Sequence, residues 1–184
     1  MNKIFKLFFC FFAMALYGQD NGKHEIKFDA LNLVAFSHIQ FTYEFHLNQN
    51  YSLGLSYKKH NNKNDNSDFD NGFLSNKIDY QIIPYFRYNF DSNKPRYYFI
   101  EAFASYNVGQ NKTLQRLVEN NVGYYQAVDS NYSDVAIGAA VGYKFYIKKV
   151  VLVEAFAGMG KNLLKGDDSP EAISRFGLNI GYRF

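Results

Sequence analysis

The residues whose types suit bond-making or ligand-holding chemistry are four histidines, a run of aspartates and one glycine pair. Ser37-His38 with Glu44 is the only local set containing a nucleophile, a base and an orienting acid. In an extended strand, however, His38 and Glu44 lie about 20 Å apart and share no hydrogen bond. A set assembled across strands with His46 or His60 stays open at this point. Asp65, Asp68 and Asp70, with Asn66, Ser67 and Asn71, offer oxygen ligands for a cation. The stretch lacks the placed glycine and terminal glutamate of an EF-hand, so a solvated acidic loop is expected. His24, His38, His46 and His60 have no metal-ligand spacing and read as strand-end or inward polar residues. Gly158-Met159-Gly160-Lys161 lacks the leading glycine and trailing Ser/Thr of a phosphate loop and falls on a strand. The expectation is no catalytic residue, no metal and no cofactor.

The elements that must carry these residues are strands. Eight runs alternate apolar and polar residues with period two: about 25–34, 38–47, 51–59, 77–90, 96–109, 132–147, 150–162 and 172–184. In the second, Ile39, Phe41, Tyr43, Phe45 and Leu47 oppose His38, Gln40, Thr42, Glu44 and His46. Connections are short after runs two, four and six, and long and polar at 60–76, 110–131 and 163–171. Short turns at one end and long loops at the other are the layout of an up-and-down membrane barrel. The first connection, at Ala35 to Ser37, breaks the rule by being short. Leu31 and Leu33 leave the phase of Ile26, Phe28 and Ala30, which predicts a β-bulge near residues 30–32. Pro84 has no N–H for the ladder and predicts a second bulge.

Composition decides which face points in. The chain of 184 residues is 19% aromatic, with 16 Tyr, 19 Phe and no Trp, while its mean hydropathy is negative. No apolar run after the N-terminus is long enough for a membrane-crossing helix, and a formal net charge of +3 is no nucleic-acid footprint. One face carries rings such as Phe41, Tyr43, Tyr57, Phe86, Tyr98, Phe145 and Tyr182. The other carries Ser52, Gly54, Ser56, Ala136, Gly138, Ala140, Gly142, Gly158, Gly160, Gly177 and Gly181 with charged residues. An eight-stranded barrel has an interior just wide enough for side chains, so the aromatic face turns to lipid and the small face inward. The lumen then receives the bases Lys58, Lys77, Arg87, Lys144, Arg175 and Arg183 and the acids Glu44, Asp79, Glu101, Asp134 and Glu154. Lone charges there are costly to desolvate, so near balance predicts a paired network that plugs the barrel.

Residues 1–18, with Lys3 and Lys6 before an apolar core and Gly18 at the exit, read as a cleaved signal peptide, leaving 19–184 as one barrel domain. Cys10 lies inside that segment, so the mature part has no thiol. At the other end, Arg175 to Phe184 alternates to its last residue. It resembles the closing strand of bacterial outer-membrane barrels, in which the terminal aromatic is an assembly signal, here Tyr182 and Phe184. Together with Ile26-Lys27-Phe28-Asp29 through Tyr43-Glu44, Tyr51 to Leu55 and Ile83-Pro84-Tyr85-Phe86-Arg87-Tyr88, it makes the chain resemble a family of small Gram-negative outer-membrane β-barrel proteins of uncharacterised function, with OmpA/OmpX-like architecture. The expected fold is an all-β, eight-stranded antiparallel up-and-down transmembrane barrel in the cell outer membrane. Its expected role is a structural or surface-interaction scaffold with a plugged lumen, not an enzyme. A lipid-modifying enzyme, a narrow channel and a soluble lipocalin-like barrel are the alternatives. The partners implied are outer-membrane lipid, the barrel-assembly machinery and a surface ligand reached through residues 60–76 and 110–131, with no nucleic acid.

Overall fold

The computed structural model describes residues 22–60, 63–71, 76–91, 93–119, 122–164 and 170–184; the expected signal segment lies outside them. Strand β1 (His24–Asp29) is followed by helix α1 (Ala30–Phe36), β2 (Ile39–His46), β3 (Tyr51–Lys59), helix α2 (Lys63–Asp70), β4 (Asn76–Asn89), β5 (Arg96–Glu119), β6 (Val122–Ile147), β7 (Val151–Asn162) and β8 (Ala172–Arg183). Each strand pairs antiparallel with its neighbours in sequence, and β1 pairs with β8, for example Phe28 with Ile180, to close the barrel. Closure leaves no sheet edge around the barrel wall.

The two faces follow the pleat. Along β2, Gln40, Thr42, Glu44 and His46 are buried while Ile39, Phe41 and Tyr43 are exposed. Outward apolar side chains include Tyr98 at 68% and Met159 at 76% exposure. A soluble ligand-holding barrel needs the opposite orientation, with its apolar face lining the interior. The short connections share one rim with the first and last described residues, and there the backbones of His24 and Phe184 exchange hydrogen bonds of 3.1 and 2.9 Å. There the β6–β7 turn places Lys148 and Lys149 at φ 51° and 64°, the handedness that suits a two-residue hairpin.

Four expectations are corrected. The phase change after β1 is helix α1 and not a bulge. Asp29 caps it by accepting from the Asn32 N–H at 2.9 Å, and Ser37 ends it in the left-handed region at φ 55°. Pro84 causes no register shift: it sits opposite Leu55, and the β4–β5 register is the same on both sides of it. The irregularity falls instead between Ile78 and Tyr80. The segment 60–76 contains α2, whose Phe69 is buried and capped by the ammonium groups of Lys112 and Lys77, 4.7 and 5.4 Å from its ring centre. The segment 110–131 is mostly strand, since β5 and β6 stay in register from Arg96↔Phe145 to Glu119↔Val122.

The inward face also holds more rings than its small residues suggested. Tyr85, Tyr97, Phe99, Phe103, Tyr146 and Phe156 are buried. Four of them gain room from glycines directly across the ladder: Gly54 faces Tyr85, Gly142 faces Phe99, Gly138 faces Phe103 and Gly177 faces Phe156. A Cβ on Gly54 would stand 2.6 Å from Tyr85 Cε1, and one on Gly142 would meet Phe99 Cε1 and the Ala155 carbonyl at 2.7 Å. Each of these four rings lies over the bare backbone of its partner, so this part of the lumen is filled to contact.

Candidate functional site

At the waist of the barrel every strand sends a polar side chain to one buried cluster. β1 gives Glu25 and Lys27, β2 Glu44 and His46, β3 Ser52, β4 Arg87, β5 Glu101, β6 Lys144, β7 Glu154 and β8 Arg175 and Asn179, and all are buried. Alternation alone sends them inward, because each sits in the phase opposite to the exposed apolar residues of its strand. Four carboxylates, Glu25, Glu44, Glu101 and Glu154, meet four cations, Lys27, Arg87, Lys144 and Arg175.

Arg87 is the hub. Its Nη1 and Nη2 donate to Glu154 Oε2 and Oε1 at 2.7 and 2.9 Å, Nη1 also donates to Glu44 at 3.0 Å, and Nε donates to Glu101 at 2.6 Å. A planar guanidinium suits this bidentate geometry as no ammonium does. Its flat faces are covered too, with ring centres of Phe99 and Tyr85 at 4.0 and 4.5 Å. Arg175 Nε takes the other Glu101 oxygen at 2.6 Å. Lys144 donates to Glu25 at 2.9 Å and Glu44 at 3.1 Å, while Lys27 donates to Glu154 at 2.8 Å and also to Glu44. Neutral donors complete the shell: Ser52 and Tyr85 donate to Glu44 at 2.6 and 3.0 Å, Asn179 to Glu154 at 3.0 Å, and Tyr146 to Glu25. Buried charges on this scale persist only when paired and fully hydrogen-bonded.

The structure thus brings together Glu44, Arg87, Glu101, Lys144, Glu154 and Arg175 of the residues assigned to the lumen. The other five lie apart. Lys77 and Asp79 form a partly exposed pair at 3.6 Å. Asp134 is buried and accepts from the backbone N–H groups of Val135 and Leu164 at 2.6 and 2.9 Å. Arg183 donates to the Gly22 carbonyl and covers the Tyr146 ring at 5.1 Å. Lys58 stands higher, in the mouth. Of the terminal pair, Tyr182 is exposed and Phe184 stacks on His24 at 5.7 Å between ring centres. Sequence reasoning missed Glu25 and Lys27, and it placed His46 inward without joining it to the charged residues. Glu25 and Lys27 alternate with Ile26 and Phe28 in plain view, but the irregular end of that run obscured its phase.

Two further chemistries can be weighed on this geometry. Glu25, Glu44 and His46 each bring one ligand atom within 4.8 Å of the others. The position a cation would take is served already, since Lys27 and Lys144 each contact both carboxylates. His46 Nε2 lies 2.7 Å from Glu25, and Ser52 is its partner across the ladder. Those are the types of a nucleophilic triad, yet the Ser52 hydroxyl donates to Glu44 and is wholly buried. A nucleophile needs its base and a path for substrate.

No family model matches the sequence, and no curated protein matches it. Among solved structures, the N-terminal β-barrel domain of Pseudomonas aeruginosa OprF aligns at a TM-score of 0.50 and 16% identity, over 88% of this chain and 96% of that one. Neisserial surface protein A aligns at a TM-score of 0.53 and 11% identity, over 88% of this chain and 94% of that one. The chain has the fold of the small outer-membrane β-barrels. Identities this low speak for the architecture of this membrane barrel, and its waist has to be read from its own residues.

Proposed function

We propose that this barrel sits in the outer membrane of a Gram-negative bacterium as a closed-lumen scaffold that presents a β-ribbon to a surface partner. The ribbon is the observation that carries the reading. Among the described residues, pairing of β5 with β4 ends at Asn111↔Asn76, and pairing of β6 with β7 ends at Ala136↔Asn162, whereas β5 and β6 stay paired with each other to Glu119↔Val122. Residues 112–119 of β5 therefore extend about 25 Å past the last β4 pair at a strand rise of roughly 3.3 Å per residue. Lys112, at the root of the ribbon, anchors on Phe69 of α2 through its ring and its carbonyl. A long paired element whose outer ladder edges no described strand covers is suited to contact. The waist supports the closed lumen, because its eight charged groups leave one another no unpaired partner to draw an ion through. Ser52, His46 and Glu25 are buried within that waist, which supports a non-enzymatic reading. Lipid and the barrel-assembly machinery are the partners of its biogenesis.

Exposure at the cell surface is tested with Tyr125→Cys, an exposed ribbon position in a chain whose only cysteine is Cys10. A membrane-impermeant maleimide labels it in intact cells; protection until the envelope is broken would refute the orientation. In planar bilayers the purified barrel produces no stable conductance steps, and nanosiemens-scale open channels would refute the closed lumen.

A further inference from the structure

On the loop side of the waist, α1, β3, β4 and β8 surround a cavity of about 250 Å³ that shares no residue with the charge network. Three of its polar groups are left over. Asn32 is fully buried and its orientation is set, since Nδ2 donates to Asp29 Oδ2 at 2.7 Å and to the Phe176 carbonyl at 3.0 Å. Its Oδ1 then has no hydrogen-bond partner. His60 Nδ1 lies 3.1 Å from His38 Nε2, and the other ring nitrogen, Nε2, is buried without a partner. Lys58 lines the same space with no carboxylate of the described residues in ion-pair contact; Asp29 and Arg175 act on it at longer range. Native proteins satisfy nearly all buried polar groups, so several orphans around one cavity point to a missing occupant.

We propose that this cavity binds a small phosphate monoester with a short apolar body. The chemistry of the leftover groups selects it. Lys58 supplies the positive charge, and among the described residues no carboxylate lines the cavity to oppose an anion. When His38 Nε2 donates to His60 Nδ1, His60 Nε2 carries the ring proton and donates to a phosphoryl oxygen. Asn32 Oδ1 needs a donor, which a P–OH group offers and a carboxylate does not. Phe36, Ile78 and Ile173 line the remainder and suit the apolar body. The volume lies below the roughly 300–1,000 Å³ of drug-sized sites, so the occupant is small or is the head of something larger.

The source of the phosphate is separable by experiment. The full barrel is placed in phosphatidylcholine nanodiscs and the His38 and His60 ring resonances are followed. Saturable shifts with hexyl phosphate identify a soluble monoester, and shifts on doping the bilayer with phosphatidic acid, with nothing added, identify a lipid head group. Either supports the site, provided hexyltrimethylammonium is silent. Lys58→Met weakens the effective ligand about tenfold or more, as loss of a charged hydrogen bond does, and Lys58→Arg retains it. Removing an unpaired lysine leaves the fold intact, so the Lys58→Met result can be read. No saturable shift with either ligand, or equal shifts in Lys58→Met, would overturn the proposal. That failure would leave the ribbon reading standing, since the ribbon shares no residue with the cavity.

Discussion

The waist and the mouth of one lumen handle buried charge in opposite ways. At the waist four acids and four bases saturate one another, with Arg87 alone touching Glu44, Glu101 and Glu154. At the mouth Lys58 has no ion-pair partner, and Asn32 and His60 keep orphaned atoms around a cavity. The contrast teaches that filling a narrow barrel and satisfying it are separate tasks. Rings over glycines and charge pairs close the waist, and the mouth keeps room.

The difference can be broken first at the hub. Arg87→Met leaves three buried carboxylates under-compensated and is expected to cost about 3–5 kcal/mol or to prevent assembly. Lys58→Met, a loss of the same charge at the mouth, changes stability by no more than about 0.5 kcal/mol. Urea midpoints and the folded band on unboiled gels check both, and equal costs at the two sites would erase the distinction. A smaller effect is expected where rings meet backbone. Gly142→Leu drives a side chain into Phe99 and should cost about 1–3 kcal/mol, with the folded barrel retained in Gly142→Leu/Phe99→Ala.

The smallest effect sharpens the mouth. Burial, helped by the nearby Lys58 and His38, lowers the His60 pKa from 6.5 to about 3. Between those values the unfolded chain binds the proton and the folded one does not. Stability contributed by neutral His60 is therefore complete above about pH 6.5 and declines as pH falls toward 3. His60→Gln should flatten that part of the stability profile by a measurable shift in urea midpoint between pH 7 and 5. A profile unchanged by the substitution would mean that His60 is solvated.

Much of this barrel was legible because strand alternation is local. The eight runs, the outward rings and the inward placement of Glu44, Arg87, Glu101, Lys144, Glu154 and Arg175 follow from period two and from the limited width of the interior. Local signals failed where the backbone changed type. Asp29-Ala30-Leu31-Asn32 carries a helix cap whose change of phase mimics a strand irregularity, and residues 110–131 are polar enough to resemble a loop although β5 and β6 pair out to Glu119↔Val122. Pro84 was absorbed by the ladder, whose register persists on both sides of it.

What the sequence by itself determined is which side chains face inward, since that depends on each strand alone. Only the tertiary structure decided which of them meet. Arg87 reaches Glu154 across 67 positions of sequence, and Lys144 reaches Glu25 across 119. Those contacts depend on the stagger between strands once the barrel closes, a property of all eight registers together and of no single run. The same closure separated Lys58 from the waist, so that charges alike in the sequence became a saturated network at one level and an unfilled site at the other.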